Sequence, residues 1–145
     1  MIVVLTVFAL VAVIVIPRLG GSDRVNVDAA MRLVIAGLRQ ARSVAVTTGV
    51  STALLVDAKR KIVVLESAQG AGLESGKVRK LPVDVDYELT IAESERVGEN
   101  AGRVRFFPDG SSTGGRVGAS AGNFARRVDV DWLTGRIGVL AKENG

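Results

Sequence analysis

The stretch MIVVLTVFALVAVIVI, Met1 to Ile16, decides how the rest of the chain is read. It carries no charge, Thr6 is its one polar side chain, and Pro17 and Arg18 close it. As a helix it would be about 24 Å long, short of the roughly 30 Å hydrocarbon core of a bilayer. A secretory signal peptide would need a basic segment ahead of the apolar run and a small-residue cleavage site after it. Nothing basic precedes this run, and its exit is Ile16-Pro17-Arg18. A buried helix of a soluble core fits the length, but a helix apolar all round asks a small domain to cover every face. The reading favoured is a membrane anchor that also packs against other helices of its kind. Met1, Leu5, Phe8, Val11, Ile14 and Pro17 are its candidate contact residues.

Beyond Arg18, the sequence Leu19-Gly20-Gly21-Ser22-Asp23 predicts a hinge near Pro17 to Gly21, because Pro removes a backbone bond and paired glycines loosen a helix. A helical pattern then resumes. Val27, Met31, Val34, Leu38, Ala41 and Ala45 recur at steps of four and three, which places them on one stripe. The spacing predicts a helix from about Val25 to Thr47, closed by Thr48-Gly49. Asp28 lies early in it and the arginines later, the order that the helix dipole favours.

From Thr52 the period shifts from 3.6 to 2. Thr52–Val56 and Ile62–Leu65 read as strands joined by an Asp57–Lys61 turn, and Gln69–Lys77 as a Gly-rich loop. Val83, Val85, Tyr87, Leu89 and Ile91 alternate with Asp84, Asp86, Glu88 and Thr90, which predicts a half-buried antiparallel strand. Arg103–Phe107, Arg116–Gly118, a Val128–Trp132 alternation and Ile137–Leu140 complete the strands. The glycine, serine and proline clusters between them are turns. One long helix followed by a run of strands is an α+β chain with an antiparallel sheet packed on the helix. The divisions expected are a membrane or filament-core helix at 1–17, its amphipathic continuation at 18–48, and a β-rich globular region at 49–145.

Composition narrows the chemistry. Cysteine and histidine are both absent, so there is no thiolate, no ordinary general base near neutral pH, and none of the commonest metal ligand. The net charge of +4, from 19 basic and 15 acidic residues, is mildly basic. Gly70–Val78 departs twice from a phosphate-binding loop: Ala71 stands where its first Gly belongs, and Val78 where a hydroxyl should hold Mg²⁺. Asp84, Asp86 and Glu88, and likewise Asp129 and Asp131, alternate along strands and read as solvated faces rather than calcium ligands. Neither an enzyme nor a cofactor or metal site is expected.

The C-terminal third carries a resemblance. Phe106-Phe107-Pro108-Asp109-Gly110-Ser111-Ser112-Thr113-Gly114-Gly115 is followed by Val128-Asp129-Val130-Asp131-Trp132-Leu133-Thr134-Gly135-Arg136. With the helix segment Leu38–Ala45 and the apolar start, these residues resemble the GspH/FimT group, minor pseudopilins of type II secretion systems and their minor-pilin relatives. The resemblance implies a pilin-like fold, anchored by one helix in the inner membrane with the sheet region in the periplasm. Its partners would be other pseudopilins or pilins in a mixed filament, together with secreted cargo. Family members begin with a basic leader that is cut before a methylated Phe, with a Glu four residues on. Met1 corresponds to the residue after that Glu, so the resemblance implies that the sequence starts inside the mature helix. Five more residues would bring the apolar run to roughly 31 Å, enough to span.

The same resemblance offers a second function. Some FimT-like minor pilins take up DNA through basic residues in this region, which makes Arg116, Arg126 and Arg127 candidates for DNA or subunit contact. The alternative is cross-strand pairing, with Asp129 and Asp131 as partners for Arg103 and Arg105. The function expected is that of a minor pseudopilin in the filament that drives protein export across the outer membrane; the alternative is a DNA-binding minor pilin.

Overall fold

The computed structural model describes residues 2–69 and 76–141. The expectation at Met1 lies outside the described residues, as do the side chains of Leu5, Phe8, Val11, Ile14 and Pro17 and residues Gly70–Ser75 of the glycine-rich loop. One helix, α1, runs Ile2–Thr48, and at 47 residues it is about 70 Å long. It continues through Pro17–Gly21 without interruption, where the sequence predicted a hinge. A single Pro costs a helix one backbone hydrogen bond, and the turns on either side here carry the segment through.

The stripe Val27, Met31, Val34, Leu38, Ala41 and Ala45 is buried along its whole length, with Ala30 beside it. Eight strands follow: β1 (Thr52–Asp57), β2 (Ile62–Ser67), β3 (Val78–Lys80), β4 (Asp86–Ile91), β5 (Ala101–Phe106), β6 (Gly115–Ala121), β7 (Phe124–Val130) and β8 (Ile137–Ala141). They form two four-stranded antiparallel sheets rather than one, ordered β3-β2-β1-β5 and β4-β6-β7-β8. The split arises because β1 takes β5 as its second partner and leaves β4 to pair with β6. In the first sheet Leu54, Leu65 and Val104 share one row, and in the second Leu89, Val117 and Val128 do. Both rows meet the helix stripe in one continuous core.

Local departures from the expected strands have local causes. The alternation at 83–91 enters strand only at Asp86, because Val83–Val85 turn after Pro82; Val83 is exposed while Val85 remains buried. The short strand expected at Arg116–Gly118 runs on through Ala119–Ala121, and the hairpin turn lies at Gly122-Asn123. Trp132 lies outside β7 and is 67% exposed, so the Val128–Trp132 alternation ends at Val130. At Gly37 the helix comes so close to β1 that a Cβ there would lie 2.8 Å from Leu54 Cδ1, tighter than side chains tolerate.

Leu38 is fully buried at the centre of the stripe. Leu38→Ala should lower the unfolding free energy of the full chain by about 3 kcal/mol, the usual cost of a large-to-small core cavity. Arg39→Ala, on the exposed side of the same turn, should change it by less than about 0.5 kcal/mol. Denaturant titration in detergent, followed by the single tryptophan, checks both.

Candidate subunit-contact site

The two C-terminal motifs lie far apart in sequence and close in space. The first makes a turn in which Gly110 N–H donates to Phe107 O at 2.9 Å and Phe107 N–H to Ser111 O at 2.9 Å. Asp109 Oδ1 accepts from the Ser111 amide at 2.9 Å and the Ser111 hydroxyl at 2.6 Å, and these bonds hold its carboxyl below the usual range. The second makes a turn closed by Asp131, whose Oδ1 accepts the amides of Leu133 at 2.8 Å and Thr134 at 3.0 Å. The amides, with a smaller contribution from the Arg136 charge, likewise hold the Asp131 carboxyl low.

Ser112 joins the two. Its amide donates to Trp132 O at 2.9 Å, its hydroxyl donates to Asp131 O at 2.9 Å, and its Oγ accepts the Gly114 amide at 2.9 Å. Gly135, at φ +67°, approaches the first turn so closely that a Cβ would lie 1.9 Å from Gly110 O. Arg42 of α1 reaches over both turns, with Nη2 at 3.4 Å from Thr134 O. The residues of both motifs thus hold a rigid end to the molecule, against the last turns of the helix.

The candidate arginines Arg116, Arg126 and Arg127 all border one cavity on the second sheet, but their side chains make different contacts. Arg116 forms a two-pronged pair with Asp129 on the outward face of the second sheet, at 2.6 and 3.1 Å, and this partner raises its pKa. Arg126 faces the other way and pairs with Asp28 of α1 at 2.7 Å, tying the sheet to the helix. Arg127 returns to the outward face, where it borders a cavity of about 180 Å³ with Glu88, Thr90, Arg116 and Arg126; its Nε is buried and has no hydrogen-bond partner among the described residues. Adjacent strand residues point to opposite faces, so Arg126 and Arg127 do not form one patch. The pairing proposed for Arg103 and Arg105 is corrected: they bind Glu66 and Glu95, since β5 neighbours β1 and not β7. The Arg105–Glu95 pair is two-pronged, at 2.8 and 3.3 Å, with Glu95 largely buried in the turn between the sheets.

Comparison with known proteins now decides the family. Residues 30–135 match the family described as type II transport protein GspH. The chain belongs to the GspH family. It is 30% identical over 138 residues to type II secretion system protein H of Xanthomonas campestris pv. campestris, covering 94% of this chain and 77% of that protein. In fold it is similar to the minor pseudopilin EpsH from the type 2 secretion system of Vibrio cholerae, with a TM-score of 0.62 at 12% identity over 82% of this chain and 99% of that one. The type IV minor pilin FimU of Pseudomonas aeruginosa is similar as well, with a TM-score of 0.60 at 15% identity over 81% and 90% of the two chains. The family match spans the first motif, the second as far as Gly135, the amphipathic half of α1 from Ala30, and every strand except β8.

The sequence marked the two motifs as a family signature without showing that they pack on each other. Nor did it bring out Arg42, whose place over both turns depends on the fold. Gly135→Ala should clash with the Gly110 carbonyl and strain a left-handed backbone, lowering the melting temperature of the full chain by at least about 5 °C. Gly138→Ala, where a Cβ meets open space, should leave it nearly unchanged. Thermal melts of the two variants side by side make the comparison.

Proposed function

We propose that this chain is a minor pseudopilin subunit of a type II secretion system, built into a periplasmic filament that drives folded proteins across the outer membrane. Membership of the GspH family carries the reading, and the continuous helix supplies the mechanism. The half beyond Ser22 is committed to the core of its own globular region. The run Met1–Ile16 before it is uncharged in sequence and suited to lipid or to other pilin helices. Both surroundings accept an apolar surface, so transfer from the inner membrane into a filament core costs little net burial. Among the described residues no helix is long and apolar enough to cross a membrane. The span is therefore assigned from the apolar run in the sequence.

In this reading the globular region lies in the periplasm and its surface chooses neighbouring subunits. The work is structural: the chain supplies neither a histidine nor a cysteine for acid–base or nucleophilic chemistry. The DNA-binding alternative has less support, because Arg116 and Arg126 are already held by carboxylates and Arg126 and Arg127 face apart.

The test is genetic and local. Loss of the gene should stop release of the system's exoproteins, and the wild-type chain should restore it. Val11→Asp places a charge in the apolar run at a cost of about 3 kcal/mol in lipid, so it should leave the globular fold intact and fail to restore release. Full secretion by the Val11→Asp variant would refute the proposal.

A further inference from the structure

The last turns of α1 and the β7–β8 turn enclose a trough of about 710 Å³ lined by Arg39, Arg42, Ser43, Val46, Thr134 and Arg136, among others. Among the described residues no Asp or Glu lines it. None of its three arginines forms an ion pair with a described residue. Asp131 senses the Arg136 charge, but its Oδ1 is occupied by the turn amides. Arg42 is held over the two turns, so one of the three charges is fixed in place. Beside the trough, on the same turn, Trp132 and Leu133 are 67% and 64% exposed, and Val46 on the helix is 51% exposed. Arginines without a full carboxylate partner next to an exposed tryptophan are the composition of an energetic hot spot in a protein interface.

We propose that this trough docks a carboxylate-bearing segment of a neighbouring pilin-like subunit, with the apolar side chains of that segment against Val46, Trp132 and Leu133. The proposal rests on the filament reading and names the surface that makes the contact. Charge complementarity selects the occupant: Arg39 and Arg42 have no carboxylate partner among the described residues, and Asp131 offsets only part of the Arg136 charge. Position rules out a lipid headgroup, since Arg39 lies about 35 Å along α1 from the end of the apolar run at Ile16. The apolar walls favour a peptide over a phosphodiester chain, which has no aliphatic side chains to bury there.

The absence of cysteine allows a clean probe. Full-length chain carrying Ser43→Cys, labelled with bimane and held in detergent, is titrated with each of the other pilin-like subunits of the same cell. One of them should give a saturable fluorescence change. Arg39→Gln with Arg136→Gln should weaken it roughly tenfold at low salt and flatten its salt dependence. Unchanged melting temperature in that double variant keeps the comparison one of binding. Saturable binding by the wild type that the double variant retains would overturn the trough while leaving the filament reading in place. A response to duplex DNA as strong as to any subunit would overturn the choice of a peptide. A response that grows with the chain's own concentration would replace the neighbour with a second copy. No response to any subunit, in a chain that also fails to restore secretion, would overturn both readings.

Discussion

Everything in this fold depends on one stripe of a helix being wedged against two sheets at once. Neither sheet has a complete core of its own. The first offers Leu54, Leu65 and Val104, the second Leu89, Val117 and Val128, and the helix residues Val34 and Leu38 lie in the same buried cluster as both rows. Burial of this kind is non-directional and scales with area, so it sets where the sheets sit without fixing their angle. Direction comes from polar ties. The Arg126–Asp28 pair links β7 to the helix, Arg105–Glu95 closes the turn between the sheets, and Ser112 locks the two C-terminal motifs together. Arg105–Glu95 is the more enclosed of the two ion pairs, and a two-pronged geometry suits a pair that has lost much of its water.

The same helix joins that core to the apolar run. α1 runs unbroken from Ile2 to Thr48, so the apolar run and the globular region share one helical rod. The motif end, with its arginine trough and exposed Trp132, lies at the far end of the rod from the apolar half. Lateral packing through the helix and specific contact through the motif end are thereby separated along one axis.

Much of this was legible in the sequence because the signals are local. The four-and-three spacing of Val27 to Ala45 identified the buried face, and the alternation at Tyr87, Leu89 and Ile91 found a strand. Partner choice was not legible. Nothing near β1 says that its second neighbour is β5, fifty residues on in order of magnitude, with β4 excluded. That choice made two sheets of an expected one and gave Arg103 and Arg105 glutamates in place of the aspartates of β7 and its turn. The hinge at Pro17–Gly21 was read from residues that weaken helices, and propensity yields to the turns on either side. The extent of β6 was hidden by Ala119-Ser120-Ala121, small residues that look like loop until Tyr87 and Arg126 flank them in the sheet. Arg126 and Arg127 were candidates for one contact by adjacency in sequence, and strand geometry sends their side chains to opposite faces.

One continuous helix serves the core of its own chain and, in the proposed function, its other half serves the core of a filament. The direct measurement is in vivo cross-linking from the apolar run of a chain that has no cysteine. Phe8→Cys, expressed in the native cell, is labelled with a membrane-permeable maleimide–benzophenone and irradiated, so that the ketone inserts into a neighbouring C–H bond, and adducts are identified by mass. The account predicts adducts with other pilin-like subunits while the secretion system is working, and their disappearance when its assembly ATPase is inactivated. Membrane-held chain that forms the same adducts without assembly, or none while secretion proceeds, would contradict it.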